Sequence, residues 1–143
     1  MISRRGLIKN CLASLVAVKV PTSAFSAKNV SRYRIVAQKS EHQFYEGANL
    51  SDLFLYNGSS PGPRIVEKKG NILEVEFSNL LDEPSSIHWH GIRNLNDMDG
   101  VPGLTQAPVE PGETFTYRFP LNDAGTFWYH SHSQAWNQVA RGL

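Results

Sequence analysis

The chain has 143 residues, 41% hydrophobic and 19% charged, which is enough for one domain with its own core and unlike a disordered or low-complexity segment. Its formal charge of +1 is unevenly placed: the first 27 residues carry four bases and no acid, while the rest carries ten Lys and Arg against thirteen Asp and Glu. A remainder at −3 leaves no basic footprint, and no nucleic-acid partner is expected.

Residues 1–27 read as an export signal. A basic start (Arg4, Arg5, Lys9) precedes an apolar run from Cys11 to Val18, and small residues follow from Thr22 to Ala27. The run is shorter than the about 20 apolar residues that span a bilayer, so no stable membrane anchor is expected. Ser3-Arg4-Arg5-Gly6-Leu7-Ile8-Lys9 is similar to a twin-arginine signal, with Leu7 where Phe is commoner. An ordinary secretory signal or a basic tail are the alternatives. Cleavage after Ala24 or Ala27 would release a periplasmic product containing the domain expected over residues 28–143. Cys11 is the only cysteine and lies within the signal. The mature region would then have no thiol for a disulfide or a thiolate metal ligand.

Past the signal the chain reads as β structure. Tyr33, Ile35 and Ala37 suggest an early strand. His42, isolated in Glu41-His42-Gln43, reads as a surface side chain. Leu73, Val75 and Phe77 alternate with Glu74, Glu76 and Ser78, and Phe115, Tyr117 and Phe119 alternate with Thr114, Thr116 and Arg118. Both patterns predict half-buried strands. Breakers separate the runs: Asn57-Gly58, Pro61-Gly62-Pro63, Lys69-Gly70-Asn71, Asp99-Gly100, Val101-Pro102-Gly103 and Glu110-Pro111-Gly112. No later stretch keeps a long helical period. Short strands with turn signals between them predict an antiparallel sandwich or Greek-key barrel. Gln138 to Leu143 ends the sequence with no cap, tail or closing strand in the pattern.

Four of the five histidines form two His-x-His pairs, His88 and His90 in Ile87-His88-Trp89-His90-Gly91 and His130 and His132 in Trp128-Tyr129-His130-Ser131-His132. On a strand, residues two apart share a face. Trp89 would turn into packing, and two such strands side by side would gather four imidazoles on one surface. Neutral imidazole is a strong ligand for copper and zinc. One such pair could be a polar strand face; two, flanked by aromatic residues, point to metal.

These residues resemble the multicopper oxidases, laccase-like enzymes built from cupredoxin domains. The likeness is to their first domain and runs over about residues 30–143, with motifs in the family's order. They are Tyr56-Asn57-Gly58 with Pro61-Gly62-Pro63, Ile87 to Gly91, Met98 to Gln106, Glu110-Pro111-Gly112-Glu113, and Gly125 to His132. The resemblance implies an all-β, cupredoxin-like Greek-key sandwich or barrel that lacks its last strand. It also implies that His88 helps hold a type 2 copper, and that His90, His130 and His132 hold a type 3 copper pair. Asp99 matches an acid thought to relay protons as dioxygen is reduced to water; on turn preference alone it reads as an Asp-Gly turn residue. Asn71 stands where the family often has Asp.

The family's copper cluster needs two further His-x-His pairs from a C-terminal domain, one of which brackets the cysteine of the type 1 copper. Neither is in this sequence. The expected partners are therefore C-terminal cupredoxin domains of the same or a split enzyme, with dioxygen and an unidentified reducing substrate. Three readings follow: the amino-terminal piece of a laccase-like oxidase, inactive alone; a free-standing periplasmic copper-binding module for copper tolerance or delivery; or a zinc or iron hydrolase.

Overall fold

A computed structural model describes residues 29–143, so the export signal expected over 1–27, with Cys11, lies outside the described residues. The alternation at Tyr33, Ile35 and Ala37 is the inward face of a much longer strand, β1 (Val30–Tyr45). β2 (Ala48–Tyr56) folds back on β1 as a hairpin, with Ala37 opposite Tyr56. Sequence alternation missed β2 because Phe54, Leu55 and Tyr56 are buried in succession. A strand covered on both faces reads as a continuous apolar run.

β3 (Ile72–Asn79) and β5 (Thr114–Pro120) follow the predicted alternations, and the sheet order is β2-β1-β3-β5. One pairing departs from the antiparallel expectation: β1 and β3 run parallel, from Val30 opposite Ile72 to Ala37 opposite Asn79. β2 has already carried the chain back as far as Ala37, midway along β1. Residues 57–71 cover the remaining length and step across β1 to start β3 beside Val30. The predicted breakers fall in this connection and the later ones. β4 (His88–His90) and β6 (Trp128–His130) form a separate two-stranded ribbon.

Ile35, Phe54, Val75, Phe77 and Tyr117 make the core on the inner face of the larger sheet, and Trp89 caps it from the ribbon. Fully buried Asn79 fixes the approach to β4. Its Nδ2 donates to the carbonyls of Glu83 and Val109, and its Oδ1 accepts from the Leu81 N–H. A buried amide must be paired in this way, so the loop has little freedom there.

The C-terminal stretch is better tied than its sequence suggested. α1 (Ala135–Gln138) is closed by hydrogen bonds from Gly142 N to Val139 O and from Leu143 N to Gln138 O. Leu143 is buried, Phe54 N donates to Arg141 O, and the Arg141 guanidinium lies 3.5 Å over the Phe54 ring. The expectation of an uncapped end missed this because the partner, Phe54 on β2, lies 87 residues before Arg141 in the sequence. Among the described residues no helix is long and apolar enough to cross a membrane.

Candidate metal centre

β4 carries two imidazoles on one face because its middle residue is anchored on the other. Trp89 is 2% exposed, with ring centroids 5.5 Å from Tyr117, 5.3 Å from Phe119 and 5.7 Å from Tyr129. β6 pairs antiparallel with β4, placing His88 opposite His130, Trp89 opposite Tyr129 and His90 opposite Trp128. Tyr129 therefore joins the inward layer. It packs 5.2 Å from Tyr56 and donates its hydroxyl to Pro63 O at 2.8 Å, which seats the Pro61-Gly62-Pro63 turn against β6.

The structure brings the four predicted histidines to one face. The His88 ring is central, with centroids 5.7 Å from His90, 5.4 Å from His130 and 5.3 Å from His132. Ring nitrogens of His88, His90 and His130 lie within 4.8 Å of one another. His132 stands alongside, its ring at 28° to that of His130 and 6.2 Å away. His42 is elsewhere, half-buried on β1 with its ring against Phe44, and takes no part.

Two carbonyl oxygens decide which ring nitrogens are free. His88 Nδ1 is 2.7 Å from Asp99 O, and His130 Nδ1 is 2.8 Å from Ser131 O. A carbonyl only accepts, so both Nδ1 atoms carry the hydrogen and both Nε2 atoms offer lone pairs. His90 turns its Nδ1 toward His130 Nε2 at 3.3 Å. Two imidazole nitrogens about 2 Å from one tetrahedral ion stand at about that separation, so the pair fits a shared metal. His130 is buried, and burial pushes its pKa below the ordinary histidine value. The three neighbouring imidazoles push the same way, against the bond to Ser131 O. That favours the neutral ring, the form that binds metal.

Asp99 follows a single 3-10 turn (Asn96–Met98). Besides its carbonyl bond, it holds Oδ2 3.6 Å from His88 Nδ1, with the carboxyl partly exposed. The histidine face opens into a pocket of about 390 Å³ walled by Trp128, Ala135 and Val139. Trp128 stacks on His130 at 4.1 Å and 28°, and lies 5.0 Å from His90. Four imidazoles without a thiolate, with carbonyls behind two of the rings, are a donor set that suits copper or zinc.

Sequence reasoning did not find the supports. Gln138 is fully buried behind the site, bonded to Ser131 and Ser85. No pattern in the sequence separates it from the exposed Gln134 four residues earlier.

The profile of a family described as multicopper oxidase matches residues 37–143. Laccase-1 of Emericella nidulans is 48% identical over 88 residues, covering 60% of this chain and 14% of that protein. Copper resistance protein A of Escherichia coli is 36% identical over 140 residues, covering 92% of this chain and 23% of that protein. The chain thus spans less than a quarter of the length of these curated relatives. The crystal structure of a multi-copper oxidase from Pseudomonas thermotolerans matches with a TM-score of 0.78 at 42% identity, over 82% of this chain and 28% of that one. Backbone and sequence agree on the all-β, cupredoxin-like fold expected from the motifs, and copper is the metal this likeness implies. With two His-x-His strands side by side and a family profile running from β1 to Leu143, the chain belongs to the multicopper oxidase family.

Proposed function

We propose that this chain is the copper-binding N-terminal domain of a laccase-like oxidase that couples oxidation of a reducing substrate to reduction of dioxygen to water. The observation that supports this reading is the convergence of His88, His90, His130 and His132 on one open face, with carbonyls fixing two of the rings. His88 is assigned to a type 2 copper, and His90, His130 and His132 to a type 3 pair. Bound there, copper would supply one-electron chemistry that joins substrate oxidation to oxygen reduction. The chain's own residues orient the donors: Asp99 O holds His88 by its Nδ1, and Ser131 O holds His130. Asp99 Oδ2, beside His88 and partly open to water, is assigned to hold a proton and pass it toward the site. C-terminal cupredoxin domains, in the same or a companion chain, supply the remaining ligands and the electron entry site.

Titration of the chain with Cu(II), followed by electron paramagnetic resonance, tests the reading. Nitrogen hyperfine structure that His88→Ala alters is the expected result. No intense blue colour should develop, because that needs a thiolate ligand and the region after residue 27 has none. Oxidation of phenols or Cu(I) by the chain alone, faster than by free copper, would reject its dependence on further domains.

A second reading is favoured by one observation. His88, His90 and His130 already offer three ligand nitrogens within 4.8 Å of one another, enough to hold a single ion without further domains. A free-standing copper-binding module for tolerance or delivery would retain one Cu per chain through dialysis, whereas a domain that needs its partners would release it. Under either reading residues 1–27 direct export to the periplasm by the twin-arginine route. Replacing Arg4 and Arg5 with Lys should leave uncleaved precursor in the cytoplasm.

A further inference from the structure

We propose that Gln138 is a positioning residue for the histidine face and that it acts through Ser131. The inference rests on the copper reading above. The Gln138 side-chain amide is fully buried and uses all four of its hydrogen-bonding positions. Oε1 accepts from Ser85 Oγ at 2.9 Å and from Ser131 Oγ at 2.5 Å. Nε2 donates to Glu83 Oε1 at 2.7 Å and to Pro84 O at 2.9 Å.

The amide thereby joins three segments. Residues 83–85 lead directly into His88. Ser131 sits between His130 and His132. α1 carries Gln138 itself, and Ala135 and Val139 from the same stretch wall the pocket. Ser133, next to His132, adds a bond from its Oγ to Pro84 O at 2.8 Å and one from its N–H to Ser131 Oγ at 3.1 Å.

The ribbon needs this help. β4 and β6 pair over only three residues each, and a lone two-stranded ribbon is marginally stable in water. His132 lies beyond the ladder, so no strand pairing fixes it. What holds it is the turn built on Ser131. The same Ser131 presents the carbonyl that takes the His130 Nδ1 hydrogen and leaves Nε2 free. Gln138 therefore sets both the spacing of the two histidine pairs and the tautomer of His130. Partners behind metal-binding histidines typically change metal affinity 10- to 100-fold when removed.

The test compares Gln138→Leu with the unaltered chain in two measurements. In the metal-free protein, long-range 1H–15N spectra of the ring nitrogens should show His130 in one tautomer in the unaltered chain and in a mixture in the variant. With Cu(II) as the probe, the variant should bind about 10- to 100-fold more weakly, with altered hyperfine splitting. A variant that melts at lower temperature, yet keeps the tautomer, the affinity and the splitting unchanged, overturns the proposal and leaves Gln138 a stability residue only. Should Gln138→Leu not fold, Ser131→Ala removes one hydroxyl from the same path and is judged by the same readings. Absence of imidazole-bound Cu(II) in the unaltered chain would instead refute the copper reading, while the metal-free spectra would still decide the role of Gln138.

Discussion

Gly100 lies so close to Ile87 that a Cβ on it would stand 1.7 Å from the Ile87 carbonyl oxygen and 3.0 Å from the His88 Cα. Its φ is +82°, where a side chain is strained as well. This contact brings the preceding residue, Asp99, onto His88. The Asp-Gly pair thus serves the site as well as the turn. Gly100→Ala should cost the about 1–2 kcal/mol of a left-handed alanine plus the energy of moving backbone off backbone. Gly103 is the control: its φ is +77°, but nothing lies within 4 Å of its Cβ position. Gly103→Ala should therefore cost the strain alone. Urea denaturation of the two variants measures the difference, and equal losses would contradict the close approach.

His88 has all three other imidazoles about it, whereas His132 is outside the trio whose nitrogens lie within 4.8 Å. His88→Ala should lower Cu(II) affinity by more than the about 10- to 100-fold that outer partners cost. His132→Ala should lower it less. His42→Ala should leave it unchanged, since His42 meets only Phe44 among the aromatic rings. Competition against a chelator of known affinity ranks the three, and any other order would shift the centre of the site.

How far the sequence could be read depends on what faces solvent. β3 and β5 announce themselves because one face is wet, as in Val75-Glu76-Phe77 and Tyr117-Arg118-Phe119. β2 does not, because Leu55 on its outer side is also buried. The parallel β1–β3 pairing was equally hidden: alternation gives the face of a strand, not its neighbour's direction. The four clustered histidines were legible from spacing, since period two and a shared face are one geometric statement. Gln138 and Ser131 were not, because side-chain networks join residues by contacts that leave no period. Glu83 and Gln138 are far apart in sequence and 2.7 Å apart in space.

Tyr117 contributes to the alkaline pH dependence together with Tyr56 and Tyr129, whose phenols burial also pushes up. Burial pushes the Tyr117 phenol from the ordinary 10 up to about 12, against the bond it accepts from Ile87 N–H at 3.0 Å. A raised folded-state pKa means that the native chain holds a proton the unfolded chain releases. Its contribution is therefore complete below pH 10 and is lost as the pH climbs toward 12. A shift of this size corresponds to about 2–3 kcal/mol. Urea melts of the metal-free chain should lose stability over that interval. Tyr117→Phe should be less stable at neutral pH, because Ile87 N–H loses its partner, and should show a flatter alkaline slope. An unchanged slope in that variant would assign the loss to other groups.

The last prediction concerns the residue that turns the histidines outward. Trp89 is the only tryptophan among the described residues inside the core; Trp128 is 52% exposed and Trp136 81%. Trp89→Ala removes an indole packed on Tyr117, Phe119 and Tyr129 and should cost about 3–5 kcal/mol, a large share of the about 5–15 kcal/mol that holds a domain together. Trp89→Phe keeps a ring in the cavity and should cost less. Fluorescence separates packing from geometry. The phenylalanine variant should lose the blue-shifted emission of the buried indole and retain only that of the two exposed ones. If it folds with His88 and His90 still bound to Cu(II) as before, the ring at position 89 acts as a plug for the core. If affinity falls together with packing, the fit of the indole itself aims the two imidazoles, and the strand's alternation alone does not.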